Sequence, residues 1–177
     1  MDAYRCIVSK RDLRTYADRV IPRETLARIL EAGRRSGSSR NRQPWQFIVV
    51  TDRDQLARLS RTGRFTTHLA TAAVVVAVLV DATRDLFDAG RCAQNMMLAA
   101  WSFGVASCPT ILQHDAEARA VLGVPTGPVI ATAIAFGYPH PAGRGPIERL
   151  ALRVLTGRGR KPLTDLVHWN RYGQRAV

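Results

Sequence analysis

Residues 72–80 read Ala-Ala-Val-Val-Val-Ala-Val-Leu-Val, nine apolar residues without a polar interruption. A strand with one wet face alternates, so this run is expected to be a strand covered on both faces, in the middle of an α/β or α+β sheet. It is far shorter than the roughly 20 residues a membrane helix needs. Residues 129–136, stopped by Gly137-Tyr138-Pro139, read as a second buried strand. Between the two lies the longest helix candidate, about residues 85–103, with Gly104 as its C-terminal stop. From Cys92 to Trp101 it is apolar nearly all round, broken mainly by Gln94 and Asn95. Such a helix must be buried on several sides, either centrally or against a second subunit.

The remaining elements follow from local signals. Residues 2–8 suit a short helix. If residues 9–16 are extended, Lys10, Asp12 and Arg14 fall on one side. Pro22 suits a first helical position, and Leu26, Ile29 and Leu30 recur at helical spacing up to Gly33. Residues 45–50 form a strand, and Asp52 N-caps a helix through Leu59. A short strand over 105–109 and a helix over 115–122, ended by Gly123, complete the pattern. The tail is rich in Pro, Gly and Arg, with one further helix expected at about 146–155. No repeat or linker divides the 177 residues, which suit one domain with a proper core.

Ahead of the 45–50 strand stand Ser38, Ser39, Arg40, Asn41, Arg42 and Gln43, six donor side chains in six positions. Donors this dense fit an anionic or heteroaromatic ligand; they also fit a solvated loop that caps the preceding helix. The formal charge is +12, and Lys10 and Lys161 are the only lysines. A field of that sign attracts phosphates, nucleic acid or acidic cofactors, and guanidinium suits bidentate phosphate binding. Lys10–Arg14, Ser38–Gln43 and Arg158–Lys161 are three basic or donor-rich segments far apart in sequence. Brought together, they would make a phosphate clamp with polar groups for a ring system.

Other chemistries find no support. There is no Gly-rich dinucleotide fingerprint, P-loop or Gly-x-Ser-x-Gly elbow. His68, His114, His140 and His168 lack zinc-ligand spacing and read as surface or packing residues, so no metal is expected. Cys108 has nothing nearby in sequence to activate its thiol and reads as a buried structural cysteine. Three scattered cysteines and an N-terminus, Met1-Asp2-Ala3-Tyr4-Arg5, without an apolar export signal favour a reducing cytoplasm.

Five segments in order resemble the FMN-dependent nitroreductase family along almost the whole chain. They are Lys10-Arg11-Asp12-Leu13-Arg14-Thr15-Tyr16; Ser38-Ser39-Arg40-Asn41-Arg42-Gln43-Pro44-Trp45-Gln46-Phe47; and the helix from Asp88-Ala89-Gly90 through Asn95-Met96-Met97 to Ser107-Cys108-Pro109. Gly137-Tyr138-Pro139 and Arg160-Lys161-Pro162-Leu163 with His168-Trp169 complete the set. The resemblance implies an α+β fold, a mixed sheet flanked by helices, in an intertwined homodimer with two FMN molecules at its interface. It implies that Lys10, Arg11, Arg14, Arg160 and Lys161 neutralise the phosphate and hold the ribityl end, and that Ser38 and Asn41 bond flavin or ribityl atoms. It implies, too, that Pro109, Thr110 and Ile111 line the isoalloxazine, with a backbone N–H near N5. Arg40 and Arg42 are left as surface charge.

The activity so implied is hydride transfer from NADH or NADPH through FMN to a small electron-poor acceptor such as a nitroaromatic or quinone, with no side chain singled out as catalytic. Deazaflavin binding and flavin sequestration without turnover are the alternatives within the superfamily. Nucleic-acid and membrane partners are not expected, because no recognised module or span is visible. Two departures stand out. Asp12 occupies a position where many relatives carry Ser, and about twenty residues separate Pro139 from Arg160, more than compact relatives have.

Overall fold

Four strands, β1 (Trp45–Val50), β2 (Val74–Val80), β3 (Ala106–Thr110) and β4 (Val129–Gly137), form one sheet in the order β1-β2-β4-β3. Every neighbouring pair is antiparallel. The computed structural model describes residues 2–142 and 160–175, in two compact units, Met1–Gly143 and Arg144–Val177. The sheet belongs to the first unit.

All seven residues of β2 are buried, as a centrally placed apolar run requires. The absence of polar alternation does not mean the absence of a period of two. Val75, Ala77 and Leu79 face one way and pack with Val50, Leu56, Leu59, Leu69, Ala118 and Leu122. Val74, Val76, Val78 and Val80 face the other way, with Ile29, Cys92, Met96, Ala100 and Phe136. Each face therefore has its own apolar layer, which is why both sets of side chains are aliphatic.

Among the described residues, α2 (Arg23–Arg34), α3 (Arg53–Leu59), α4 (Leu86–Ser102) and α5 (Asp115–Leu122) supply those layers, while α1 (Ala3–Ser9) lies against α4, with the Cys6 thiol donating to the Leu98 carbonyl. Asp52 caps α3 by accepting the Gln55 N–H at 2.8 Å, as its sequence position predicts. Pro22 stands one place earlier than expected, at the N-cap of α2. α4 ends in a Schellman turn: Val105 N–H reaches the Ala100 carbonyl at 2.9 Å and Gly104 N–H the Trp101 carbonyl at 3.1 Å, with Gly104 at φ +74°. α2 and α4 approach so closely at Gly33 that a Cβ there would lie 2.7 Å from Met96 Cγ.

The fold is thus α+β. One feature of the sheet edge was not legible in the strand pattern. Asp12 bridges Ser107 in the parallel sense, and Tyr16 bridges Pro139 antiparallel. Residues 12–17 therefore extend the sheet beyond β3 and supply its one parallel pairing among the described residues. In the second unit, residues Leu163–Asp165 form a single 3-10 turn, and the rings of His168 and Tyr172 stack with centroids 4.5 Å apart. The helix expected at about 146–155 lies outside the described residues. No helix among the described residues is long and apolar enough to cross a membrane.

Candidate functional site

The edge segment carries the first cluster of cations. Leu13 N–H donates to the Ser107 carbonyl at 3.1 Å and Ala17 N–H to the Tyr138 carbonyl at 2.9 Å, which fixes the backbone between them. Lys10 and Asp12 lie on the same side, as an extended chain requires, and form an ion pair through Nζ and Oδ1. Lys10 Nζ also lies 3.5 Å from Met97 Sδ on α4. Arg14 lies over β3: its charge acts on Cys108, His68 and Tyr16. Arg11 differs, since its Nη1 donates to the carbonyls of Val8 and Lys10 at 2.8 and 2.9 Å and caps the end of α1.

Burial pushes the Cys108 thiol above its ordinary range, and the Arg14 guanidinium opposes this only in part. Cys108 is thus a buried neutral thiol, as a structural role demands. His68 is buried too. Burial first, then the charge of Arg14, lowers its imidazole, against the opposing pull of the Cys108 and Phe65 carbonyls. The Ser107 hydroxyl beside them is buried without a protein hydrogen-bond partner.

The second cluster is the donor loop. Ser38 Oγ accepts the Gln43 N–H at 2.8 Å, and Asn41 N–H donates to the Ser38 carbonyl at 3.0 Å. Arg40, Asn41 and Gln43 have φ of +52°, +54° and +51°. Left-handed conformations at non-glycine residues cost of order 1–3 kcal/mol each and gather at binding sites. Asn tolerates the conformation; Arg and Gln have no such local compensation. The loop rests on α4. Ser39 N–H donates to Asp88 Oδ2 at 3.2 Å, Asn95 Nδ2 donates to Ser36 Oγ at 2.8 Å, and a Cβ on Gly37 would meet Arg91 Nη2 at 2.6 Å.

Arg42 is not surface charge, contrary to expectation. Its Nη2 pairs with Oδ1 of Asp85, a carboxylate fully buried at the start of α4. Asp85 and Asp88 are site residues that sequence reasoning missed. Only the first turn of α4 lying beneath the loop reveals them.

The third element is the wall after β3. Pro109 and Thr110 are half-buried and Ile111 is exposed. Thr110 Oγ1 donates to the Phe65 carbonyl at 3.4 Å, and Gln113 Oε1 accepts the Arg64 N–H at 2.8 Å. Residues 62–65 are thereby laced to 110–114. Phe65 and Ile111 are both about two-thirds exposed, an apolar pair at the end of β3.

One chain brings Lys10 and Arg14 together with β3 and the start of its wall, but it does not bring them to Ser38 and Asn41. The loop enters β1 at Trp45, which pairs with Val80 and, beyond it, Val129; Asp12 meets Ser107, which pairs with Phe136 and, beyond it, Val74. These are diagonally opposite corners of the sheet, about 19 Å apart across the strands and about 20 Å along them. Arg160 and Lys161 lie in the second unit, just ahead of its 3-10 turn. The outer face of α4 is open as well. Phe87, Gly90, Arg91 and Gln94 are exposed there, and a groove of about 550 Å³ runs past Leu86, Phe87, Gly90, Arg91, Gln94 and Asn95.

A fold of this kind has known counterparts. The Nitroreductase family model matches residues 7–66 and 63–138. A protein of Archaeoglobus fulgidus, provisionally named NADH dehydrogenase/NAD(P)H nitroreductase, is 30% identical over 149 residues, covering 78% of this chain and 86% of its own. A crystal structure of a provisionally named nitroreductase from Desulfovibrio desulfuricans, in complex with FMN, is similar at TM-score 0.79 and 26% identity, over 94% of this chain and 96% of that one. A provisionally named NADH dehydrogenase/NAD(P)H nitroreductase structure from Parabacteroides distasonis gives TM-score 0.81 at 25% identity, over 96% and 98%. The chain belongs to the nitroreductase family.

Proposed function

We propose that this chain is an FMN-dependent NAD(P)H oxidoreductase that reduces small electron-poor rings, nitroaromatics or quinones, and that it works as a homodimer. The observation that carries the reading is the diagonal separation of its two polar half-sites. Two copies related by a two-fold axis would set the Ser38–Asn41 loop of one beside the Lys10–Arg14 edge of the other, giving two equivalent sites. The open face of α4 suits such a pairing. Gly90 is exposed in mid-helix with nothing within 4 Å of a Cβ placed on it, which costs a helix roughly 1 kcal/mol against Ala unless another backbone comes close.

The donor set suits FMN. Lys10, Arg11 and Arg14, offset by Asp12, leave two net positive charges at one sheet edge to meet a phosphate dianion. Ser38 and Asn41 offer neutral hydrogen bonds to a ring system or ribityl chain. Pro109, Thr110 and Ile111 offer a half-apolar wall with the N–H groups of Thr110 and Ile111. For Arg160 and Lys161 the support is charge and sequence position. The whole of 1–177 would then act as one FMN-binding domain.

FMN, when bound, would supply the redox chemistry between NAD(P)H and a second substrate. The chain's own part is to bind and orient. Lys10 and Arg14 hold the phosphate and lend positive potential, which favours negative charge developing on the ring system. Phe65 and Ile111 present apolar surface to a flat substrate and exclude water from it. The wall carries no acid: residues 109–112 are Pro-Thr-Ile-Leu.

The reading is tested by titrating the purified protein with FMN and following NADH and NADPH oxidation with a nitroaromatic and a quinone. Stoichiometric FMN uptake, acceptor-dependent turnover and a dimeric mass support it. A protein that takes up no FMN sinks it, and uptake of a deazaflavin instead would move it to the alternative cofactor. FMN uptake without turnover would leave a flavin-sequestering protein.

A further inference from the structure

Asp85 occupies the N-cap position of α4, yet its side chain makes no cap hydrogen bond. An aspartate there ordinarily accepts the N–H of the second or third helical residue. Here the carboxylate turns away from its own helix. Oδ1 takes the guanidinium of Arg42, 43 residues earlier, while Oδ2 is buried without a protein hydrogen-bond partner. The side chain is fully buried and that of Arg42 about one-third exposed. Burying a carboxylate with one oxygen unpaired is unfavourable, and the core gains nothing from it that Asn or Leu would not supply.

The gain lies in the loop. Arg42 is flanked by Arg40 and Asn41 on one side and Gln43 on the other, all three left-handed. Such a cluster persists only where its surroundings over-determine it. Beyond the loop's own backbone bonds, these contacts do so: Arg42 to Asp85, Ser39 N–H to Asp88, and Ser38 Oγ from the Gln43 N–H. The first two anchor the loop to one turn of α4.

We propose that Asp85 is a positioning residue. Acting through Arg42, it holds Arg40, Asn41 and Gln43 in the left-handed form and so presents Ser38 and Asn41 to the ligand. The ligand's identity rests on the FMN reading above; the tie between Asp85 and the loop does not.

The test compares the wild-type protein with Asp85→Asn, Arg42→Ala, the double variant and Arg42→Lys. FMN affinity is followed by flavin fluorescence, and amide hydrogen exchange is measured across the chain. Loss of one charge-assisted hydrogen bond predicts about tenfold weaker FMN binding in either single variant. The double variant is expected to be no weaker than the singles, since both remove the same contact. Arg42→Lys is expected to restore most of the affinity. Exchange is expected to quicken in residues 38–43 while β2 and the body of α4 keep wild-type protection.

Wild-type affinity in Asp85→Asn, multiplying effects in the double variant, or exchange quickening equally along α4 would each overturn the assignment. Arg42→Ala with wild-type protection at 38–43 would overturn it from the other partner. If the wild-type protein binds no FMN, the functional reading fails and exchange at 38–43 alone decides the role of Asp85.

Discussion

Tyr16 lies directly on the bare Cα of Gly137: a Cβ at that position would stand 2.8 Å from Cδ1 and Cγ of the ring. The tyrosine hydroxyl donates to the Leu13 carbonyl at 2.7 Å, so the same side chain both plugs the sheet edge and ties back the segment that bears Asp12 and Arg14. Gly137→Ala must push the ring outward or shift the edge. Overpacking of this kind costs about 1–3 kcal/mol. Denaturant unfolding is expected to register that loss. FMN binding is expected to weaken as well, because the displaced segment carries Arg14, proposed above to hold the phosphate. Unchanged stability would mean that Tyr16 is free to move aside.

Asp12 pairs with Lys10 at the same edge, and a phosphate would have to compete for that ammonium. Asp12→Asn removes both the competitor and its repulsion of a dianion. A neighbouring like charge disfavours a dianion, and the more weakly the more exposed it is; the Asp12 side chain is 54% exposed. FMN titration is therefore expected to show severalfold tighter binding in the variant, with the difference shrinking at high salt. Weaker binding would show instead that Asp12 orients the cations.

Elements whose signals are local were legible in the sequence. Asp52 caps α3, Gly123 closes α5 at φ +67°, and the side-by-side placement of Lys10 and Asp12 follows from extended geometry alone. The family resemblance pointed to the loop and the edge as the candidate site. What the sequence withheld was tertiary. Arg42 looks like any solvated arginine until Asp85 is folded beneath it, 43 residues on. Similarly, three cationic or donor-rich segments suggested one clamp, and only the strand order reveals that two of them lie at opposite corners of the sheet. Local periodicity carries no information about which corner a loop reaches.

Buried thiols and a buried phenol are expected to lower stability at alkaline pH. Burial pushes the Cys92 thiol from 9.0 up to about 12, opposed by the Ser36 hydroxyl, and raises the Tyr16 phenol from 10.0 by burial first and the nearby Cys108 and Asp12 second. Their folded values exceed their unfolded ones, so the unfolded chain ionises first. The stabilisation is complete below about pH 9 and is lost as pH rises from there through the folded values. Each such group contributes up to about 1.4 kcal/mol per pH unit in that window. Melting temperature is expected to be flat from pH 7 to 8.5 in this respect and to fall steeply by pH 11. Native protein is also expected to react slowly with a thiol reagent, with all three cysteines reacting after unfolding, since each is buried.

Arg40 separates conformation from charge in the donor loop. Its φ of +52° costs an L residue about 1–2 kcal/mol. Glycine takes that conformation freely but gives back about 0.5–1 kcal/mol in unfolded-chain entropy. Arg40→Gly is therefore expected to melt at or slightly above the wild-type temperature and to keep its FMN affinity, despite the lost charge. A β-branched side chain is a genuine outlier at such a φ. Arg40→Val removes the same charge but is expected to lower the melting temperature and to weaken FMN binding about tenfold or more, a penalty of 1.4 kcal/mol or above. Thermal melts and flavin titrations on the two variants give the comparison. Equal losses in both would assign the loop's function to the guanidinium of Arg40; loss in valine alone assigns it to the left-handed turn.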